Sequence, residues 1–223
     1  MTNQHREFAV IDTPSGLVRG VVGADPVNKR LQVHPDTSDL LVAQGLPPYA
    51  EITRLGGGWQ AMATAAVAAL VVRPSTLAMA TLHNNEPDNG KSLIMDAAFA
   101  HNLVGTANGV YSIWLCVHPV GMAAPTNDIS VRNSLSGRSA GSGAARTIFD
   151  NGATVVDDGW FPWGGSEHTV TVTTPGGVVQ APIEGKILIP PKAGISMQIV
   201  ADVVGATFTP GFRWYEKYVT LGY

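Results

Sequence analysis

One segment of the chain has the spacing of a hydrolase nucleophile. Residues 137–141, GRSAG, fit the pattern G-x-S-x-G, in which a serine on a sharp strand-to-helix turn attacks an acyl carbon. Asp157 or Asp158, and then His168, follow Ser139 in the order that such a triad takes. The flanking residues are rich in serine and glycine, however, and in such a run the pattern arises easily from composition. We therefore expect a surface loop at Ser139 and a protein that is not an enzyme.

Metal ligands are the second kind of chemistry to consider. None of the histidines forms H-x-H, H-x₃-H or H-E-x-x-H, and no carboxylate pair lies at a useful offset from them; they are His5, His34, His83, His101, His118 and His168. Cys116 is the lone cysteine and lies in an apolar run, so we interpret it as a small buried side chain. The sequence predicts no metal site and no cofactor.

The segment DDGWFPWGG, residues 157–165, has the residue types of a carbohydrate site. Carboxylates at Asp157 and Asp158 would bind sugar hydroxyls, and the indole faces of Trp160 and Trp163 would stack on a pyranose ring. The same segment is also typical of a loop whose aromatic side chains pack on a neighbouring subunit, where tryptophan is enriched. We favour subunit packing and keep carbohydrate binding as the alternative.

Composition narrows the class of protein. The 223 residues carry a net charge of −3, and only 14% of them are charged, against the usual quarter. Basic residues are too few and too dispersed for nucleic acid, and the apolar stretch 65–72 is too short to span a membrane. No signal-peptide core is present at the N-terminus, so we expect synthesis in the cytoplasm. A chain with so few charges has much neutral and apolar surface, which contact with other subunits could bury. We therefore also expect homo-oligomerisation.

Turn signals define the elements. Asn-Gly begins at residues 89, 108 and 151, and Asp-Gly at 158, as in tight β-hairpins. Segment 61–70, AMATAAVAAL, fits a helix and a strand equally well. In LIPPKAG, residues 188–194, the prolines would end a strand and Gly194 would permit the reversal. The predicted strands are 67–73, 76–84, 92–102, 110–118, 129–135, 145–149, 168–174, 178–182, 185–189, 195–203 and 211–219. This series predicts an all-β fold, a two-sheet antiparallel sandwich of the jelly-roll type.

The first residues differ from the remainder. Residues 1–54 hold 11 charged side chains, against 9 in the longer segment 55–147, together with five prolines. We expect 1–58 to be an extended N-terminal arm with short strands at 17–22 and 30–33, and 59–223 to be the sandwich domain. The triple glycine at 56–58 would be the hinge between them.

Two segments resemble virion structural proteins of tailed bacteriophages. They are ALVVRPSTLAMATLHNNEPDNGKSLIMDAAFA at 69–100 and GKILIPPKAGISMQIVADVVGATFTPGFRWYEKY at 185–218. The resemblance implies a jelly-roll subunit, most often a trimer, that decorates or builds a virion together with other proteins such as a major capsid protein. It implies no site residue.

The sequence thus predicts a capsid decoration or minor capsid subunit that acts by homo-oligomeric assembly, without nucleic acid or membrane as partner. A carbohydrate- or receptor-binding module of a tail or spike tip, using Trp160 and Trp163, is the alternative. A serine hydrolase on Ser139 is the third and least favoured hypothesis.

Overall fold

The computed structural model describes residues 49–104, 109–126, 129–138, 147–152, 159–170 and 177–221, together with the backbone of four short strands before residue 33. The chain divides into two compact units, Met1–Glu51 and Ile52–Tyr223. In the first unit, β1 (Phe8–Thr13) pairs with β2 (Gly16–Val21), and β3 (Gly23–Ala24) pairs with β4 (Leu31–Gln32), both antiparallel. Short strands were predicted close to β2 and β4, whereas β1 was not predicted.

The triple glycine, predicted as the hinge, lies inside the second unit rather than at the boundary between the two units. A five-residue helix, α1 (Ala50–Arg54), ends there: Gly56 N donates to Thr53 O at 2.8 Å and Gly57 N donates to Ile52 O at 2.9 Å. Gly56 has φ of 75°, the left-handed conformation that commonly terminates helices. Gly58 then opens a strand, and the side chain of Asn133 donates to Gly56 O at 2.8 Å. Hydrogen bonds therefore fix the glycines within the second unit.

The second unit contains two antiparallel sheets, which confirms the predicted all-β sandwich. Its strands are β5 (Gly58–Met62), β6 (Val67–Ala68), β7 (Ala80–Asn84), β8 (Ser92–Val104), β9 (Gly109–His118), β10 (Arg132–Asn133), β11 (Thr147–Asp150), β12 (Phe161–Val170), β13 (Val178–Pro182), β14 (Leu188–Ile189), β15 (Gly194–Ala201) and β16 (Thr207–Lys217). The seven-stranded sheet runs β10-β5-β16-β8-β13, with β6 beside β16 and β14 beside β8. The five-stranded sheet runs β11-β7-β15-β9-β12.

The connectivity is that of a jelly roll. Four principal strands in each sheet are interleaved, β5-β16-β8-β13 facing β7-β15-β9-β12, and the chain passes repeatedly from one sheet to the other. This order results when two Greek keys fold face to face. It brings the C-terminal strand β16 to the middle of its sheet, where it pairs with β5 on one side and β8 on the other.

The space between the sheets is filled by alternating apolar side chains. Tyr111, Phe149, Phe208, Phe212 and Trp214 are almost completely buried there. Tyr111 meets Phe208 edge to face with ring centroids 4.9 Å apart, and Phe149 meets Phe212 in the same way at 6.1 Å. Such edge-to-face pairs add to the stabilisation that comes from burial alone. Because each pair joins a ring of the five-stranded sheet to a ring on β16 of the seven-stranded sheet, these contacts hold the two sheets together.

Several strand boundaries differ from the predicted ones. Segment 61–70 is neither one helix nor one strand, since it contains the end of β5 and all of β6. The predicted strand 129–135 is reduced to β10, and the predicted 168–174 strand begins seven residues earlier as β12. Residues 161–163, expected in a loop, are therefore the start of a strand, because pairing of Phe161 with Leu115 and of Pro162 with Trp114 extends the ladder along β9.

The LIPPKAG corner turns at a different residue from the predicted one. Ala193 N donates to Pro190 O at 3.2 Å, and the residue with positive φ, 63°, is Lys192. The ammonium of Lys192 donates to Asn85 Oδ1 at 3.1 Å, which supports this conformation. Gly194 instead begins β15, and a Cβ there would lie 2.7 Å from Met122 Sδ and 2.9 Å from Leu82 O. The glycine is required by close packing rather than by the reversal.

Candidate functional site

The proposed hydrolase triad falls mostly outside the described residues. Ser139, Asp157 and Asp158 are not among them, and His168 is described only as a backbone position of β12, opposite Tyr111. The expectations of a loop at Ser139 and of carboxylates at a sugar site therefore remain predictions.

Trp160 is buried inside its own chain. Its exposed fraction is 3%, and its indole Nε1 donates to Ser75 O at 3.0 Å. It packs with Ala78, Cys116 and Trp114 in a small apolar cluster on the outer face of the five-stranded sheet. A ring enclosed in this way has no free face for a pyranose or for another subunit, so both interpretations of Trp160 are corrected to internal packing.

Trp163 lies on β12 and packs away from the cluster that contains Trp160, which immediately precedes that strand. It is half-buried against the core between the sheets, its ring centroid lies 5.8 Å from that of Phe161, and its Nε1 donates to Pro182 O at 2.8 Å. Trp160 instead packs with Cys116 and Trp114, so the two indole rings lie in different clusters. The two tryptophans therefore do not form one aromatic platform.

A row of buried polar side chains crosses the outer face of the five-stranded sheet. Ser196 Oγ lies 2.8 Å from Thr81 Oγ1 and 2.8 Å from His118 Nε2, while His118 Nδ1 lies 4.0 Å from Cys116 Sγ. A serine and a histidine at this distance have the geometry of a nucleophile and its base. Ser196 and Thr81 are fully buried, however, so no substrate reaches the serine in this conformation. The row satisfies polar groups that the strands bury.

His83 lies beside this row. It faces Gly194 across the ladder, and Gly194 is also opposite His118. Burial lowers the pKa of His83 below its ordinary 6.5, and the nearby charges of Lys192 and His118 act in the same direction, while a backbone hydrogen bond at Met122 opposes them. The fold therefore favours the neutral imidazole at this position.

A concave surface lies at one end of the sandwich, where four loops meet. This end groove, of about 580 Å³, is lined by residues 88–90, Ser92, Val120, Pro191 and 218–221. They come from the β7–β8 turn with the start of β8, the loop after β9, the LIPPKAG corner and the segment after β16. The side chains of Val120 and Tyr218 are 56% and 68% exposed. The groove is thus a preformed depression with apolar groups facing solvent.

Asn84, at the end of β7, fixes two walls of the end groove. Its fully buried side chain donates to Lys91 O at 2.9 Å and to Ile189 O at 3.1 Å, and its Oδ1 accepts from Glu86 N at 3.1 Å. One amide thereby links the β7–β8 turn to the strand before the LIPPKAG corner. The sequence predicts a turn in each segment, but only long-range strand pairing brings the two turns together.

No protein-family model, curated protein or solved structure matches the chain. In the described ranges, no three His, Cys, Asp or Glu side chains are grouped so that they could hold a metal ion. No helix in those ranges has the length and apolar character needed to cross a bilayer.

Proposed function

We propose that the chain is a virion structural protein, a capsid decoration or minor capsid subunit, that acts by homo-oligomeric assembly. The observation that carries the proposal is the end groove with the exposed Val120 and Tyr218. Much of its lining comes from residues 69–100 and 185–218, the segments whose sequences resemble phage virion proteins. A jelly-roll domain that presents apolar side chains at one end is suited to pack against copies of itself and against a major capsid protein.

Assembly through the end groove would remove the apolar side chains of Val120 and Tyr218 from water. Each square ångström of apolar surface buried contributes about 25 cal/mol, so two exposed side chains supply an anchor but not a complete interface. A stable interface needs roughly 800 Å² from each partner. The groove would therefore be the centre of a larger contact, to which the N-terminal residues add area and avidity. In a closed ring of three subunits, every groove would make the same contact with a neighbouring subunit.

The test is to substitute the two exposed side chains of the groove, Val120 and Tyr218, and to measure the oligomeric state. The double variant Val120→Ser/Tyr218→Ser should shift the chain from oligomer to monomer, measured as molar mass by light scattering during gel filtration. Val204→Ser is the matched control, because Val204 is 78% exposed and lies in the β15–β16 connection, outside the groove lining. Circular dichroism should show the same β-sheet spectrum for all variants. An oligomer that survives the double variant unchanged would remove the groove from the interface.

A further inference from the structure

Two arginines flank a glutamine on the outer face of the seven-stranded sheet. Arg132 on β10 is directly opposite Gln60 on β5, and Gln60 is directly opposite Arg213 on β16. Directly opposed residues have their Cβ atoms about 5 Å apart and project from the same face. All three side chains are exposed. The row therefore presents two guanidinium groups with an amide between them.

An apolar floor adjoins this row. Arg213 lies over the ring of Phe99, with its guanidinium carbon 5.0 Å from the ring centroid. Phe99 in turn lies above Gly211, where any Cβ would collide with the ring. Contact with an aromatic face orients an arginine while its N–H donors stay available in the plane of the guanidinium. With Met62 and Ile129, these residues form an arginine cleft of about 550 Å³ that also contains Gln60, Thr64, Ser130 and Arg132.

No carboxylate among the described residues balances the charges of the arginine cleft. Its lining contains no carboxylate, and within the described part of the chain neither Arg132 nor Arg213 takes part in an ion pair. Arginine forks bind planar oxyanions through paired, charge-assisted hydrogen bonds. Two cations on one face, one of them in contact with an aromatic ring, thus have the charge and donors that suit a carboxylate.

We infer that the arginine cleft binds an acidic sugar, a pyranose that carries a carboxylate. The two guanidinium groups receive the carboxylate, and the neutral side chains of Gln60, Thr64 and Ser130 exchange hydrogen bonds with hydroxyl groups. Phe99, Met62 and Ile129 contact the C–H face of the ring. This combination of donors, neutral polar groups and apolar floor favours a uronic acid over an acidic peptide, which has no array of hydroxyls. The inference is independent of the proposed assembly, because the cleft shares no residue with the end groove.

The test is titration of the full chain with trigalacturonate, followed by calorimetry at low ionic strength. Wild-type protein should bind trigalacturonate, and the neutral galactotriose should bind at least tenfold more weakly. Arg213→Gln and Arg132→Gln should each weaken trigalacturonate binding by about tenfold, as expected when one charge-assisted hydrogen-bonding group is lost. Lys186→Gln removes the same charge from an exposed turn outside the cleft and should leave binding within about twofold.

Three results would overturn the inference. One is the absence of binding at millimolar trigalacturonate, and another is equal affinity for the neutral trisaccharide. The third is tighter binding of hexaglutamate or inorganic phosphate than of trigalacturonate, which would make the cleft an acidic-peptide or general anion site. Thermal melting of each variant shows whether the fold is intact, since all three substituted side chains are exposed.

Discussion

His83 and Glu216 illustrate how burial alters individual titrating groups in this sandwich. Burial raises the pKa of Glu216, and Glu86 acts in the same direction, although the Lys91 ammonium at 3.7 Å opposes the shift. For His83, burial lowers the pKa. Both shifts disfavour the charged form, as expected where a side chain loses contact with water.

The shift of His83 predicts the pH dependence of stability. Its folded pKa lies below the unfolded value of about 6.5, so the unfolded chain takes up the proton first. The contribution of His83 to the free energy of unfolding is therefore complete above pH 6.5 and declines as the pH falls through that value toward the folded pKa. Urea denaturation between pH 7.5 and 5 should show this loss, and His83→Gln should make the decline shallower. An equally steep decline in the variant would assign the dependence to other groups.

Strand β12 is the element where sequence and structure differ most. Its first residues include Pro162 and are followed by two glycines, which are local signals for a loop. Pairing with β9 overrides them. Trp163 packs against the core between the sheets, whereas Trp160, just before β12, packs in the separate cluster with Cys116. Trp160→Ala should cost about 3–5 kcal/mol of unfolding free energy, the usual range for truncating a buried tryptophan. Chemical denaturation measures it, and a loss below about 0.5 kcal/mol would mean that the ring is exposed, as a sugar platform requires.

The parts of the fold that could be predicted are those that depend on neighbouring residues in the sequence. Asn-Gly turns and alternating residues predicted the strands close to β8, β9, β13 and β15, together with the sandwich class, because these signals act within a few residues. The end groove and the arginine cleft could not be predicted in this way. Their residues are distant in sequence, and only the pairing register of β5, β16 and β10 places Gln60 between Arg132 and Arg213. Gly194 likewise has a packing role that depends on Met122, 72 residues earlier.

At the scale of the whole molecule, the first unit is predicted to serve assembly. Residues 1–51 are rich in proline and charge and contain few apolar runs for a core of their own. Deletion of 1–51 retains Ile52, whose carbonyl accepts a hydrogen bond from Gly57. This contact at the start of the second unit is therefore kept. The truncated chain should remain a folded β-domain by circular dichroism but dissociate at higher protein concentration than the full chain. Undiminished association would show that these residues do not contribute to the interface.

The molar mass of the full-length chain in solution tests the central claim most directly. Sedimentation equilibrium over a range of protein concentrations should give a species of three times the 23.4 kDa chain, which dissociates as the protein is diluted. Assembly through the end groove would also reduce the solvent exposure of Val120 and Tyr218 in that species. A mass of one chain at every concentration, up to the millimolar range, would contradict the account of this protein as a self-assembling virion subunit.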